Sequence, residues 1–197
     1  MKNGISLMVL VGMLAACKTS SKIQLRFLDE AVLADSLQYK NTPIGGLSGI
    51  DYANGSYYFV VDDAADPRFL TADILLKDDT IHSVQFKDVV HLNDSTGSFY
   101  QKNALDLESI FVDERTNEIY FTSEGSIIRG LQPSIFKTNI NGKFIAEFPL
   151  PNSFKNIEKI PHNAVFEAAT QSIDSQGFWV AMEGVLTSDG QAPTFTK

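Results

Sequence analysis

Hydrophobic and polar residues alternate along most of the chain in short segments, a pattern typical of half-buried β-strands. Asn54-Gly55, a strong hairpin signal, separates two such segments near the start of the alternating region. Residues 27–38 fit either a strand or a short helix, and elsewhere no helical period extends beyond about two turns. The pattern therefore predicts an all-β fold.

One pattern recurs three times, at intervals of about sixty residues. Each copy has an alternating strand, a polar turn and a second strand that ends in acidic residues. The copies begin at Gly46, Asp106 and Val165 and end at Asp63, Gly125 and Gly184. The first two continue into a second hairpin, so each unit has four antiparallel strands. Four-stranded units that repeat in this way predict a β-propeller; a β-sandwich with similar turn spacing is the alternative.

The third copy ends after its first hairpin, which gives about two and a half blades. Propellers typically close with four to eight blades. The repeats therefore predict an incomplete propeller and the front part of a longer protein. A truncated product without a stable fold is the other reading.

The N-terminus has the pattern of a secretory signal peptide, with a lysine followed by an uncharged apolar run. This run is shorter than the roughly 20 residues that a membrane-spanning helix needs. Leu14-Ala15-Ala16-Cys17 resembles the bacterial lipobox, whose cysteine is acylated and becomes the new first residue. We expect a signal peptide at 1–16, a lipidated Cys17 with a tether at 17–26, and the propeller at 27–197. A plain secretory signal or a buried cysteine is the alternative. The expected location is the bacterial cell envelope, in the outer membrane or the periplasm.

Charge and cysteine content narrow the classes of function. The chain has 16 Lys and Arg against 24 Asp and Glu, a net charge of −8. No nucleic-acid partner is expected, because non-specific binding to phosphates needs a basic surface. The single cysteine excludes an internal disulfide.

Acidic residues recur at two positions of the repeat, the start of the first strand and the end of the second. These positions share one end of a hairpin, and corresponding ends of blades converge around a propeller's channel. The sequence therefore predicts an acidic cup at one mouth of the channel. Its members are Glu108, Glu124, Glu167 and Glu183, with Asp62 and Asp63 at the later position of the first copy.

Clustered carboxylates repel one another unless a proton or a cation lies among them. Oxygen ligands of this kind suit a divalent cation such as Ca²⁺, which would also let the cup accept a small anionic ester. Arg68 and Arg129 follow the acidic strand ends and could donate to such a substrate, and His162 precedes the third copy. For any single carboxylate, turn capping or a solvated ion pair is the alternative.

Several motifs occur in an order that is specific for one family. They are Gly45–Tyr52, Asp62-Asp63, Pro67-Arg68-Phe69, Asp106-Leu107-Glu108, Ser123-Glu124-Gly125, Pro149-Leu150-Pro151, Asn163 with Phe166-Glu167, and Glu183-Gly184. With these motifs, the stretch from about Gly45 to Gln191 resembles the phytase-like domain described as esterase-like activity of phytase.

The resemblance implies a propeller-type fold and a hydrolase of phosphate esters or related esters. It implies a site formed by Asp62, Asp63, Arg68, Glu108, Glu124, Glu167 and Glu183. The chain departs from the family pattern at Ala64, where arginine is usual, and at Ser109 and Ala168, where glycine is usual.

The sequence thus favours a lipid-anchored extracytoplasmic hydrolase that uses a divalent cation. Four glutamates and Arg68 are the catalytic candidates, and Arg68, Arg129 and His162 are the candidates for substrate binding. A non-catalytic propeller that binds a ligand or partner at the same mouth is the alternative function.

Overall fold

The computed structural model describes residues 24–95, 97–190 and 195–196. It contains two four-stranded sheets, a three-stranded sheet and a two-stranded ribbon. Within these ranges the one α-helix is a single turn, α1 (Phe99–Lys102). The all-β prediction is confirmed. No helix in the described ranges is long and apolar enough to cross a membrane.

The first blade is a four-stranded antiparallel sheet in which each strand pairs with the next along the chain. Its inner hairpin turns at Asn54 and Gly55, whose φ angles of 50° and 76° match the turn that fits the twist of paired strands. The short ribbon of β1 (Gln38–Tyr39) and β2 (Thr42–Pro43) precedes it. The strands of the blade are β3 (Leu47–Ala53), β4 (Ser56–Val61), β5 (Arg68–Lys77) and β6 (Thr80–His91).

The second blade repeats this order of four antiparallel strands, and the third contains three described strands. The second comprises β7 (Leu107–Asp113), β8 (Glu118–Ser123), β9 (Ser134–Asn139) and β10 (Phe144–Glu147). The third comprises β11 (Phe166–Gln171), β12 (Phe178–Met182) and β13 (Phe195–Thr196), so one strand follows the predicted hairpin. The four-stranded units are confirmed, and the described strands do not close a ring.

Successive blades pack face to face through two apolar cores. Between the first and second blades, Phe69 of β5 lies against Phe121 of β8, with ring centroids 6.0 Å apart. Between the second and third, Ile135 packs with Phe166 and Val180. A large side chain buried in this way contributes about 1.5–3 kcal/mol. The inner strand β7 contacts both β3 and β11, which sets the three inner strands side by side.

Residues 27–37 form neither a helix nor a strand, and the first strand begins only at Gln38. Leu33, Leu37 and Tyr39 instead pack on the first blade against Val61 and Leu70. The apolar residues of this segment are spaced so that they can be buried against the sheet of the first blade. This packing does not require the segment itself to form a helix or a strand. Neither element predicted for this segment is present.

Candidate functional site at the blade ends

The inner hairpin of every blade contains a β-bulge at the same place. In the second blade Leu107 pairs with Ser123, and the next pair is Ser109 with Thr122, so Glu108 has no opposite residue. A bulge changes the direction of a side chain and often occurs beside functional sites. The bulged residues are Ser48, Glu108 and Glu167.

An acidic residue directly follows the second strand of each inner hairpin. Its backbone N–H donates to a carbonyl just before the first strand, which fixes the acid at the end of the sheet. These bonds join Asp62 to Gly46, Glu124 to Asp106 and Glu183 to Val165, at 2.8, 2.9 and 3.1 Å.

The acids pair across neighbouring blades. Asp62, from the end of β4, meets Asp106 and Glu108, from the start of β7 in the next blade. One carboxylate oxygen of each lies within 4.8 Å of the others. Asp62 and Asp106 are also close enough to share a side-chain hydrogen bond when Asp106 is protonated.

The same pairing recurs one blade further on. Glu124 follows β8 and is only 4% exposed. Its Oε1 accepts a hydrogen bond from the backbone N–H of Val165 at 2.5 Å, and its carboxyl shares a hydrogen bond with Glu167 of the third blade. Glu124 therefore joins the second and third blades.

Burial and mutual repulsion raise the pKa values of three of these acids. Burial, followed by the hydrogen bond with Asp62, raises the pKa of Asp106 to about 7. Burial, followed by the charge of Glu167, raises the pKa of Glu108 to about 8. Burial and the hydrogen bond with Glu124 raise the pKa of Glu167 to about 7. The cup that the structure forms differs from the predicted one and is defined from here on as Asp62, Asp106, Glu108, Glu124 and Glu167. Its three members with raised pKa values retain protons near neutral pH.

Asp63 and Arg68 form a separate group beside the cup. Arg68 is 4% exposed, and its Nη1 donates to Asp63 Oδ2 at 2.7 Å. This bond is the main reason that the pKa of Asp63 lies below its ordinary value. The structure thus directs Asp63 to Arg68, whereas the neighbouring Asp62 faces the cup.

The other predicted site residues lie at the surface or beyond the described ranges. Glu183 is exposed, and its charge raises the pKa of Glu167. Arg129 is exposed on a 3-10 turn (Ile127–Arg129), and His162 is exposed in the loop before β11. The contacts that join the cup acids involve neither Arg129 nor His162. Cys17, the predicted lipidation site, lies outside the described residues.

Asp106 is a member of the cup that the repeat did not single out. Its equivalents in the other copies are Gly46 and Val165, so an acid does not recur there. The sequence signal that could have found it is its position directly before the strand that carries Glu108, two residues from that acid.

The structure thus defines a protein of propeller-type blades with a carboxylate cup at one end of its inner hairpins. The family model for the phytase-like domain, described as esterase-like activity of phytase, matches residues 42–197. The chain belongs to this family, which supports a hydrolase-like function at the family level. Comparison with curated proteins gives no match.

Proposed function

We propose that the protein is a lipid-anchored extracytoplasmic hydrolase of phosphate esters or related esters, with a divalent cation, such as Ca²⁺, held in the cup. One observation carries the proposal. Asp62, Asp106 and Glu108, from two blades, place carboxylate oxygens within 4.8 Å of one another. Ligand oxygens on a single Ca²⁺ lie within about 5 Å of each other, because each is about 2.3–2.6 Å from the ion.

The donor set also fits a hard cation chemically. Three carboxylates brought together repel one another, and protons or a cation must offset that repulsion. Carboxylate oxygens are the ligands that Ca²⁺ prefers, and a bound cation would stabilise negative charge on an ester oxygen during hydrolysis. Asp62, Asp106 and Glu108 would hold the cation, and the exposed Glu183, whose charge acts on Glu167, would add negative charge nearby.

Glu124 and Glu167 suit a different task in this proposal. They share a hydrogen bond, and Glu167 has a pKa of about 7. A carboxyl group with a pKa near the working pH is an effective proton donor. Glu167 would therefore give a proton to the departing alcohol, while the buried Glu124 holds Glu167 in place.

A hydrolysis assay tests the proposal. The chain is incubated with p-nitrophenyl phosphate, p-nitrophenyl acetate and phytate, with Ca²⁺ or with EDTA. Glu108→Gln should lower kcat/KM by about 100-fold or more on every ester that is hydrolysed, because a cation ligand is lost. Glu167→Gln should have an effect of this size on phytate, whose departing alcohol needs a proton, and a smaller one on the p-nitrophenyl esters, whose leaving group departs as an anion. Glu158→Gln, an exposed residue on another turn, is the matched control.

Two outcomes would contradict the mechanism. Hydrolysis that is unaffected by EDTA and by both variants would exclude a role for the cup. Cation binding without hydrolysis of any of the three esters would instead favour the non-catalytic binding propeller.

A further inference from the structure

Arg68 begins β5 at the cup end of the first blade. It pairs with Val61, the residue before Asp62, on one side and with His91 on the other. Its side chain is almost completely buried, with 5% exposed. A buried guanidinium requires partners for its charge and its five donors.

The partners of Arg68 lie in the loop that carries Asp62 and in the segment before the first blade. Nη1 donates to the Asp63 carboxylate at 2.7 Å, to the Asp66 carbonyl at 2.7 Å and to the Asp66 carboxylate at 3.3 Å. Nη2 donates to the Pro43 carbonyl at 3.4 Å. Nε is buried and has no hydrogen-bond partner among the described residues.

The loop residues are held in turn by one another. Asp63 Oδ1 accepts from the N–H groups of Ala65 and Asp66, at 3.2 and 3.3 Å. Asp66 Oδ1 contacts His91 Nδ1 at 2.7 Å. Arg68 therefore lies at the centre of a network that fixes the whole loop of residues 62–67.

This network has a direct consequence for Asp62. The carboxylate of Asp62 lies against Asp106 and Glu108 and is also open to solvent, so its position depends on the backbone that carries it. The Asp62 N–H is bonded to Gly46, and the next residue, Asp63, is held by Arg68. The backbone on both sides of Asp62 is thereby anchored, which limits movement of its carboxylate out of the cup.

We propose that Arg68 is a positioning residue that holds Asp62 in the cup and thereby sets the cup's affinity for a divalent cation without contacting the ligand. This inference rests on the proposed cation site. It gives Arg68 a role different from direct substrate contact, since its donors point into the loop rather than toward the mouth.

The sign of a substitution effect separates this role from a simple effect of charge. Arg68 is positive and close to the proposed cation site. If only its charge mattered, Arg68→Gln would strengthen cation binding and Arg68→Lys would leave it unchanged. A positioning role predicts that both variants weaken cation binding, because neither glutamine nor lysine reproduces the planar fork that binds Asp63 and Asp66.

Titration with Tb³⁺, a luminescent stand-in for Ca²⁺, tests the inference. Arg68→Gln and Arg68→Lys should each weaken Tb³⁺ binding by about tenfold or more, as is typical when a group that orients a metal ligand is removed. Arg115→Gln is the matched control, since it removes another arginine–aspartate pair, with Asp113, at the turn end of the second blade. It should leave Tb³⁺ affinity unchanged.

Circular dichroism and thermal unfolding accompany each titration, and Arg68→Lys provides the test if Arg68→Gln does not fold. Equal or tighter binding by the folded Arg68 variants, with normal binding by the parental chain, would overturn the positioning role alone. No Tb³⁺ binding by the parental chain would overturn the proposed cation site and this role with it.

Discussion

Glu124 shows how one residue can serve both stability and chemistry. It is almost fully buried, yet it is an acid, and its partners are the backbone N–H of Val165 and the carboxyl group of Glu167. A buried carboxylate without such partners would be strongly destabilising. The positions of Glu124 and Glu167 therefore depend on each other.

Replacement of Glu124 should separate its structural role from its charge. Glu124→Ala leaves the Val165 N–H without its partner and should lower the free energy of unfolding by about 1–3 kcal/mol. Glu124→Gln keeps an acceptor oxygen and should cost less. Urea unfolding at pH 7 measures both, with exposed Glu158→Ala as a control that should change stability by no more than about 0.5 kcal/mol. Equal stability of all three variants would contradict the role of Glu124 in joining the blades.

The raised pKa values predict an unusual dependence of stability on pH. In the unfolded chain carboxyl groups titrate at about 4, whereas Asp106 and Glu167 titrate at about 7 and Glu108 at about 8 in the folded chain. Between these values the folded state binds more protons than the unfolded state. The free energy of unfolding contributed by the cup should therefore fall as pH rises from about 4 to 8.

Urea unfolding at pH 5, 6.5 and 8 in EDTA measures this slope. Ca²⁺ should restore stability most strongly at pH 8, where the cup acids have lost their protons. Glu108→Gln should reduce the slope, because the amide does not titrate. A slope that is unchanged in Glu108→Gln would contradict the assignment of the effect to the cup.

At the scale of elements, side chains tie the inner strands of neighbouring blades together. Ser48 Oγ donates to the Leu107 carbonyl at 2.6 Å, and Asp51 Oδ2 accepts from the Val112 N–H at 2.8 Å. One blade further on, Ser109 Oγ accepts from the Ala169 N–H at 2.7 Å. These bonds fix the spacing of β3, β7 and β11, and hence the distances between the cup acids.

Gly49 allows the close approach of β3 and β7. A Cβ at this position would lie 2.9 Å from the Glu108 carbonyl oxygen and 3.0 Å from the Ser109 Cα. Gly49→Ala should therefore push the strands apart, lower the free energy of unfolding by about 1–3 kcal/mol and weaken Ca²⁺ binding. Gly45→Ala is the matched control, since its Cβ would meet no atom within 4 Å. Urea unfolding and Ca²⁺ titration of both variants measure the effects, and identical behaviour would contradict tight packing at Gly49.

At the scale of the whole molecule, local sequence patterns are enough to predict the strands of each blade. The contacts between blades are visible only in the structure. Alternation and the turn at Asn54-Gly55 specify hairpins because both act within a few residues. The bulges at Glu108 and Glu167 do not show in the alternation of polar and apolar residues along the sequence. Both acids have their carboxylate neighbours in the preceding blade. From the sequence alone, Arg68 is predicted to be free to donate to a substrate. In the structure it is buried, because the preceding loop folds back over it and takes up its donors.

Acylation of Cys17, which the sequence predicts, would hold the whole molecule on a membrane. Several acyl chains hold a protein on a membrane, with about 0.8 kcal/mol for each buried methylene. Expressed in a bacterial host, the chain should incorporate labelled fatty acid and fractionate with membranes. Cys17→Ser should abolish both properties, and Ser20→Ala should leave them intact. A parental chain that remains unlabelled would contradict acylation.

In the proposed function, the cup exchanges protons for a divalent cation. Isothermal titration of Ca²⁺ at pH 7, in two buffers that differ in ionisation enthalpy, measures both binding and proton release. We expect about one Ca²⁺ per chain with release of about one proton, because cations bind deprotonated carboxylates, and Glu108→Gln should abolish this binding. Absence of Ca²⁺ binding, or binding that releases no protons and persists in Glu108→Gln, would contradict the claim.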